Sequence, residues 1–260
     1  MVKSMFFCNV SCANIYREAS FHSEVDTQVT MWEALQLLER TKDFIRVRCE
    51  DGYEGWLNRH QAVEREKPRE NVLPVTRIQA VVWRDVERKE PLADLTAGGY
   101  VLVVQSGPLG LEVELPDGRR GWVGHQVCVP LGGFTRENLT RVTRRFMGLP
   151  YHWGGKSGKG VDCSGLVQLT HKLLGRAIRR DSPMQYQDAR PVSGEFNGGT
   201  AGDLLFFAES GTRITHVAIR LDQGYFIHAR GRVRINASRA DDPLFDRGLM
   251  DTFVEVRTFF

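Results

Sequence analysis

Tyr151-His-Trp-Gly-Gly-Lys-Ser-Gly-Lys-Gly-Val-Asp162-Cys163-Ser164-Gly165-Leu166 runs on into Val167-Gln-Leu-Thr-His-Lys-Leu-Leu174, and the change of pattern at Asp162 decides how the chain is read. Up to Gly160 the stretch is a glycine-rich loop. Beyond it Leu166, Leu169 and Leu173, with Val167 and Leu174, recur at helical spacing and predict a helix with a buried apolar stripe. Cys163 then falls in the first helical turn. Unpaired backbone N–H groups and the positive end of the helix dipole favour an anion there, so the thiol is expected to ionise more readily than a free one and to act as a nucleophile. The competing reading is a small buried hydrophobe. Residues elsewhere in the chain must decide.

Downstream, Asp203–Ala208, His216–Leu221, Tyr225–Ala229 and Phe253–Arg257 are β-branched and aromatic runs separated by turns containing glycine, and they read as strands. Helices first and an antiparallel sheet after make residues 132–260 an α+β domain. The short connection Asp222-Gln223-Gly224 makes His216 and His228 members of one hairpin, and their even separation lets both face the same side. Each histidine alone reads as a satisfied strand residue. Together with a cysteine at a helix start they form a nucleophile, a base and a group that orients the base. Zinc is the competing use of these side chains, but paired Cys-x-x-Cys or His-x-x-x-His spacing is absent from the sequence, so no metal and no cofactor is expected.

Upstream, Ile45-Arg46-Val47-Arg48-Cys49 alternates apolar and charged residues, then turns at Asp51-Gly52 into Tyr53-Glu54-Gly55-Trp56-Leu57. The pattern returns where Leu111, Val113 and Leu115 precede Asp117-Gly118-Arg119-Arg120-Gly121-Trp122-Val123. The shared Asp-Gly-x-x-Gly-Trp-aliphatic signature predicts two copies of one small all-β barrel, each with its tryptophan filling the interior. Glu64–Asn71, charged and containing Pro68, reads as a linker, and Pro130 with Gly132-Gly133 marks a second boundary. The expected domains are therefore 1–66, 72–130 and 132–260. Thr135 is positioned to cap a helix whose apolar side is Leu139, Val142 and Phe146. Arg141, Arg144 and Arg145 are read as the solvated face of that helix rather than a phosphate-binding patch.

Thirty-five Lys plus Arg against thirty-two Asp plus Glu leave a net charge of +3, too balanced to argue for a nucleic-acid partner. The cysteines at 8, 12, 49, 128 and 163 are odd in number and scattered, which suits reduced thiols better than a disulfide framework. Met1–Cys8 has one lysine and too short an apolar run for a signal peptide, and bulky Phe7 before Cys8 is a poor lipid-attachment context. No stretch reaches the ~18 apolar residues of a membrane span. A cytoplasmic monomer without a membrane partner is the expectation.

The ordered motifs also carry a resemblance. Tyr151-x-Trp153-Gly154-Gly155, Asp162-Cys163-Ser164-Gly165-Leu166-Val167-Gln168, Arg180-Asp181-Ser182, Gly202-Asp203-Leu204-Leu205-Phe206-Phe207, His216-Val217-Ala218-Ile219 and Ile227-His228-Ala229 resemble those of the NlpC family of papain-like cysteine peptidases. The resemblance implies Cys163 as nucleophile, His216 as general base and His228 as its orienting partner. It also implies that the Tyr151 hydroxyl and the Cys163 N–H stabilise the oxyanion. Arg179 stands where the family usually has proline, which leaves the conformation of the following loop open.

The two barrels resemble bacterial SH3-type domains. With them the chain resembles γ-D-glutamyl-L-diamino acid endopeptidases of murein peptides, in which the first SH3-type domain selects a free N-terminal L-alanine. By motif, Glu33 and Tyr53 are the implied ammonium ligands, helped by Asp162, Ser164, Asp181 and Ser182. Glu33 also reads as an ordinary surface carboxylate, and Tyr53 as packing beside Trp56. The implied partner is a murein tri- or tetrapeptide and the implied setting cell-wall recycling. A lysin acting on intact peptidoglycan, an acyltransferase and a non-catalytic wall-binding module are the alternatives.

Overall fold

The two Asp-Gly turns show why the amino-terminal half folds as it does. In a computed structural model describing residues 4–68, 70–209 and 211–260, both turn glycines are left-handed, Gly52 at φ +85° and Gly118 at φ +86°. The preceding aspartates cap the turns identically: Asp51 accepts from Tyr53 N–H at 3.2 Å and Asp117 from Arg119 N–H at 3.1 Å. Strand Phe44–Arg48 pairs with Glu54–Asn58, and Gly110–Glu114 with Arg120–Val123, so the repeat is real at the level of backbone register. Residues 1–3, on which part of the leader reading rests, and Arg69 of the predicted linker lie outside the described residues.

The tryptophans do not face the interior as expected. Gly55 and Leu57 are buried and Trp56 between them is half-buried; Gly121, Val123 and Trp122 repeat this arrangement. Strand alternation is the reason, since the glycine and the aliphatic residue share a face and the tryptophan takes the other. The glycines are required on the inner face. A Cβ at Gly55 would lie 2.5 Å from Ile15 Cγ2, and one at Gly121 would lie 2.6 Å from the Trp83 carbonyl oxygen.

The chain divides into two units, one of residues 1–130 with Trp153–Lys159, the other of Leu131–His152 with Gly160–Phe260. In the first, a seven-stranded antiparallel sheet has the order Val25–Thr30, Cys12–Tyr16, Glu54–Asn58, Phe44–Arg48, Ala34–Arg40, Ser4–Cys8, Ala62–Glu66. Its last strand includes Glu64–Glu66, so the predicted linker begins later than its charge run suggested. A six-stranded sheet follows, Pro91–Thr96, Gln79–Trp83, Arg120–Val123, Gly110–Glu114, Tyr100–Gly107, Val72–Pro74. Trp32 joins the two. It is buried among Phe7, Leu95, Val113 and Leu115, and its indole N–H donates to the Glu114 carbonyl at 2.9 Å. Its left-handed φ of +64° is a strained backbone held by that packing.

The second unit has helices α1 (Arg136–Arg144), α2 (Cys163–Leu173), α3 (Ser182–Asp188) and α4 (Arg247–Met250). Thr135 caps α1 by accepting from Asn138 N–H, Leu139 and Val142 are buried, and Arg141 and Arg144 face solvent. Every residue of α2 except Lys172 is buried, so the predicted apolar stripe is in fact a helix packed on all sides. The sheet has the order Arg190–Ser193, Phe253–Thr258, Leu204–Phe207, His216–Arg220, Tyr225–Arg230, Arg232–Ala237. The four predicted strands are present. The strand Arg232–Ala237 and helix α3 were not anticipated, although Val233 and Ile235 alternating with arginines were a legible strand signal. No helix of the described residues is long and apolar enough to cross a membrane.

Candidate active site

Asp162 starts the site. It is the N-cap of α2, with its Oδ1 accepting from Gly165 N–H at 2.7 Å, and this places Cys163 at the first helical position. The Cys163 sulfur lies 4.0 Å from the Thr215 carbonyl oxygen and receives the Val217 N–H, so it rests against the main chain on both sides of His216. His216 opens its strand. Its Nε2 is 2.8 Å from His228 Nδ1, and His228 Nε2 is 2.9 Å from Asn236 Oδ1. The hairpin register Ile219↔Ile227 with period-two alternation puts both imidazoles on one face, as the spacing required.

The ionisation of the site differs from the expectation drawn from the helix start. Burial, and after it the neighbouring Asp162 carboxylate, push the Cys163 thiol up to about 12. Burial also holds His216 well below 6.5 and His228 down to about 4. The loss of hydration of the ion outweighs the helix dipole, so the resting site is a neutral thiol beside neutral imidazoles. A nucleophile of this kind is activated when the base takes its proton during attack.

Tyr151 bridges to Val161 in backbone register, and its N–H donates to the Gly231 carbonyl at 3.0 Å. Its half-buried phenol is held above the ordinary tyrosine range by burial and then by Cys163 and Asp162, so it remains a hydrogen-bond donor near Cys163.

Arg180 gives the surrounding loop its order. Its guanidinium is 1% exposed and grips Asp162 in a fork, at 3.0 Å to Oδ1 and 2.5 Å to Oδ2, with a further bond of 2.8 Å to Ser164 Oγ. Asp181 and Ser182 follow at the start of α3, and Gln185 Nε2 ties that helix to the carbonyls of Ser164 and Arg180 at 3.0 and 3.2 Å. Arg179 replaces the missing proline by a different device. Its side chain holds Asp188 at 2.7 and 2.8 Å and the Met184 carbonyl at 3.1 Å, so it fastens the exposed side of α3. Asn236 and Arg180 are the residues that sequence reasoning left without a role. Arg180 was within a recognised motif, whereas Asn236 was in the strand that was not anticipated.

Glu33 and Tyr53 belong to the first unit. Glu33 is 1% exposed and is no surface carboxylate. Its Oε2 accepts from Thr30 N–H and Oγ at 3.2 and 3.1 Å, and Lys156 Nζ, from the Trp153–Lys159 segment of the same unit, lies 3.3 Å from Oε1 and 2.7 Å from Asp51 Oδ2. Tyr53 packs against the core of the seven-stranded sheet and donates its backbone N–H to Asp51. Buried Lys156 thus serves two carboxylates. Lys156→Met is expected to leave both without this cation and to cost about 3–5 kcal/mol, read as a lower thermal transition of the first unit. A transition unchanged within about 1 °C would show that the cluster contributes nothing.

A cysteine at the start of a helix and two hydrogen-bonded strand histidines are the arrangement that a thiol hydrolase of papain-like architecture uses. The NlpC/P60 family profile matches residues 148–253, and a bacterial dipeptidyl-peptidase SH3 domain profile matches residues 15–61. The chain therefore carries an NlpC/P60 cysteine peptidase domain and a bacterial SH3 domain. It is 26% identical over 261 residues to a γ-D-glutamyl-L-lysine dipeptidyl-peptidase of Bacillus cereus, covering 91% of this chain and 76% of the relative. It is likewise 26% identical over 276 residues to dipeptidyl-peptidase 6 of Lysinibacillus sphaericus, covering 95% and 97%. A crystal structure of an NlpC/P60 family protein from Bacillus cereus superposes with a TM-score of 0.80 at 21% identity over 99% of both chains, a likeness of fold.

Proposed function

We propose that the protein is a cysteine endopeptidase that hydrolyses the γ-D-glutamyl-diamino acid bond of peptidoglycan peptides. The observation that carries this reading is the hydrogen-bonded His216–His228 pair beside Cys163 at the start of α2. Similarity over 91% and 95% of the chain to two proteins named as dipeptidyl-peptidases supports the substrate class. In the proposed reaction His216 takes the Cys163 proton as sulfur attacks the γ-carbonyl carbon. The oxyanion is met by the Tyr151 hydroxyl and the Cys163 N–H. The protonated histidine returns its proton to the departing amino group, and water then hydrolyses the thioester.

The substrate's α-ammonium is assigned to Glu33 and Tyr53, with Asp162, Ser164, Asp181 and Ser182 as the remaining contacts. A buried carboxylate suits an ammonium, and at Glu33 an incoming one must compete with Lys156. The organisation that goes with this reading is an SH3-like barrel at 1–66, a second at 72–130 and an α+β peptidase domain at 132–260. The corresponding setting is a cytoplasmic monomer in cell-wall recycling that acts on murein tri- or tetrapeptides, without nucleic-acid or membrane partners.

The test is mass spectrometry of L-Ala-γ-D-Glu-diaminopimelate and its lysine counterpart, each with a free and an acylated alanine. Release of L-Ala-D-Glu is expected, at least about tenfold faster from the free peptides. Equal rates on capped and free peptides would remove the ammonium assignment. Cleavage of intact sacculi in preference to free peptides would make the protein a lysin instead.

A further inference from the structure

Asn236 lies outside every role assigned so far, yet it ends the hydrogen-bond chain that begins at His216. Its side chain is buried, at 7% exposure, and both halves of its amide are engaged. Nδ2 donates to the Leu244 carbonyl at 2.6 Å, and Oδ1 lies 2.9 Å from His228 Nε2. The Leu244 carbonyl can only accept, so the amide has one orientation. Turned over, it would oppose two oxygens at hydrogen-bond distance. The segment bearing Leu244 is itself fixed, because the same carbonyl accepts from Ala237 N–H at 3.1 Å and Phe245 bridges to Ala237.

The orientation propagates. Asn236 Oδ1 is an acceptor, so His228 Nε2 must carry a proton. A neutral His228 then has a lone pair on Nδ1, and the group facing it, His216 Nε2, must be the donor. A neutral His216 is left with its lone pair on Nδ1, the nitrogen free to accept a proton from a thiol. We propose that Asn236 is a positioning residue which, anchored by the Leu244 carbonyl, selects the tautomers of both histidines and so presents His216 to Cys163 as a base. The selector sits two hydrogen bonds from the general base. It holds by a main-chain carbonyl, so the identity of residue 244 does not enter.

A carboxamide is suited to this task because it dictates direction without adding charge. A carboxylate at the same place would favour an imidazolium in the buried pair, whose other close charges are Arg230, Arg234 and, on the Arg234 side, Asp246. Burial already holds both rings neutral, and Asn236 leaves them so. This inference rests on the peptidase reading of Cys163 and His216.

The experiment uses the full chain labelled with ¹⁵N-histidine. Long-range ¹H–¹⁵N spectra at pH 7 are expected to show His216 and His228 both as the Nε2–H tautomer. In Asn236→Leu the His228 signals should move toward a mixture of tautomers, kcat should fall about 10–100-fold and KM should stay within about twofold. Asn236→Ser, the smaller change, should give an intermediate loss in kcat and serves where the leucine variant does not fold. An Nδ1–H tautomer at His216 in the wild type, or wild-type kcat in a folded variant at position 236, would overturn the proposal. Failure of the function reading looks different. An inactive wild type that nevertheless shows both Nε2–H tautomers, shifted by Asn236→Leu, would leave the selector in place and remove the peptidase.

Discussion

Cys163→Ala is expected to lower kcat/KM on the murein peptide by at least about 10⁴-fold while leaving the melting temperature within a few degrees. The side chain is buried at the first position of α2, where its sulfur meets the Thr215 carbonyl at 4.0 Å and the Val217 N–H, so its removal takes away the reacting atom and little packing. Product release followed by mass spectrometry checks it, and turnover within tenfold of wild type would mean that another group attacks the peptide. The same site makes a second, chemical statement. With the thiol pushed up to about 12 by burial, only about one site in 10⁵ is a thiolate at pH 7. Carbamidomethylation of Cys163, read by peptide mapping, should then be slow at pH 7 and rise about tenfold per pH unit up to pH 10. A plateau below pH 8 would indicate a preformed thiolate–imidazolium pair.

Arg180→Met should destabilise the second unit by about 3–5 kcal/mol and lower its thermal transition by roughly 10 °C or more. The guanidinium is buried in contact with Asp162, so removing it costs the fork of hydrogen bonds and leaves a largely buried carboxylate without this cation. Asp162 also caps α2, which makes the loss felt at the helix that carries Cys163. Arg180→Lys keeps the charge but not the planar fork, and an intermediate shift is expected. Differential scanning calorimetry distinguishes the three proteins. A methionine variant as stable as wild type would show that the pair's attraction only balances the desolvation of its two charges.

The legible parts of the sequence were those whose cause is short in range. A spacing of three and four residues around Leu166 and Leu169 is enough to write α2, and Asp-Gly between alternating runs is enough to write both hairpins. The even separation of His216 and His228 across a short turn was sufficient to place them on one face. The strand holding Asn236 carried a shorter signal, because only Val233 and Ile235 alternate with arginines before Asn236 and Ala237 close it. Trp56 and Trp122 were assigned to the wrong face because a large apolar residue outweighed the glycine beside it, although the glycine is the residue whose inner position is enforced by contact.

The motif order within residues 151–229 determined the chemistry of this protein: a cysteine at a helix start, two histidines on a hairpin, and the peptidase family that uses them. Partnership and ionisation were left to the tertiary structure. Lys156 meets Glu33 across 123 residues of sequence, Arg180 meets Asp162 across 18, and Asn236 reaches His228 through a separate strand. The state of the thiol follows the same rule. A helix start read from sequence supplies the dipole that favours an anion, whereas burial, which disfavours it and here prevails, is created only when the chain closes around the site.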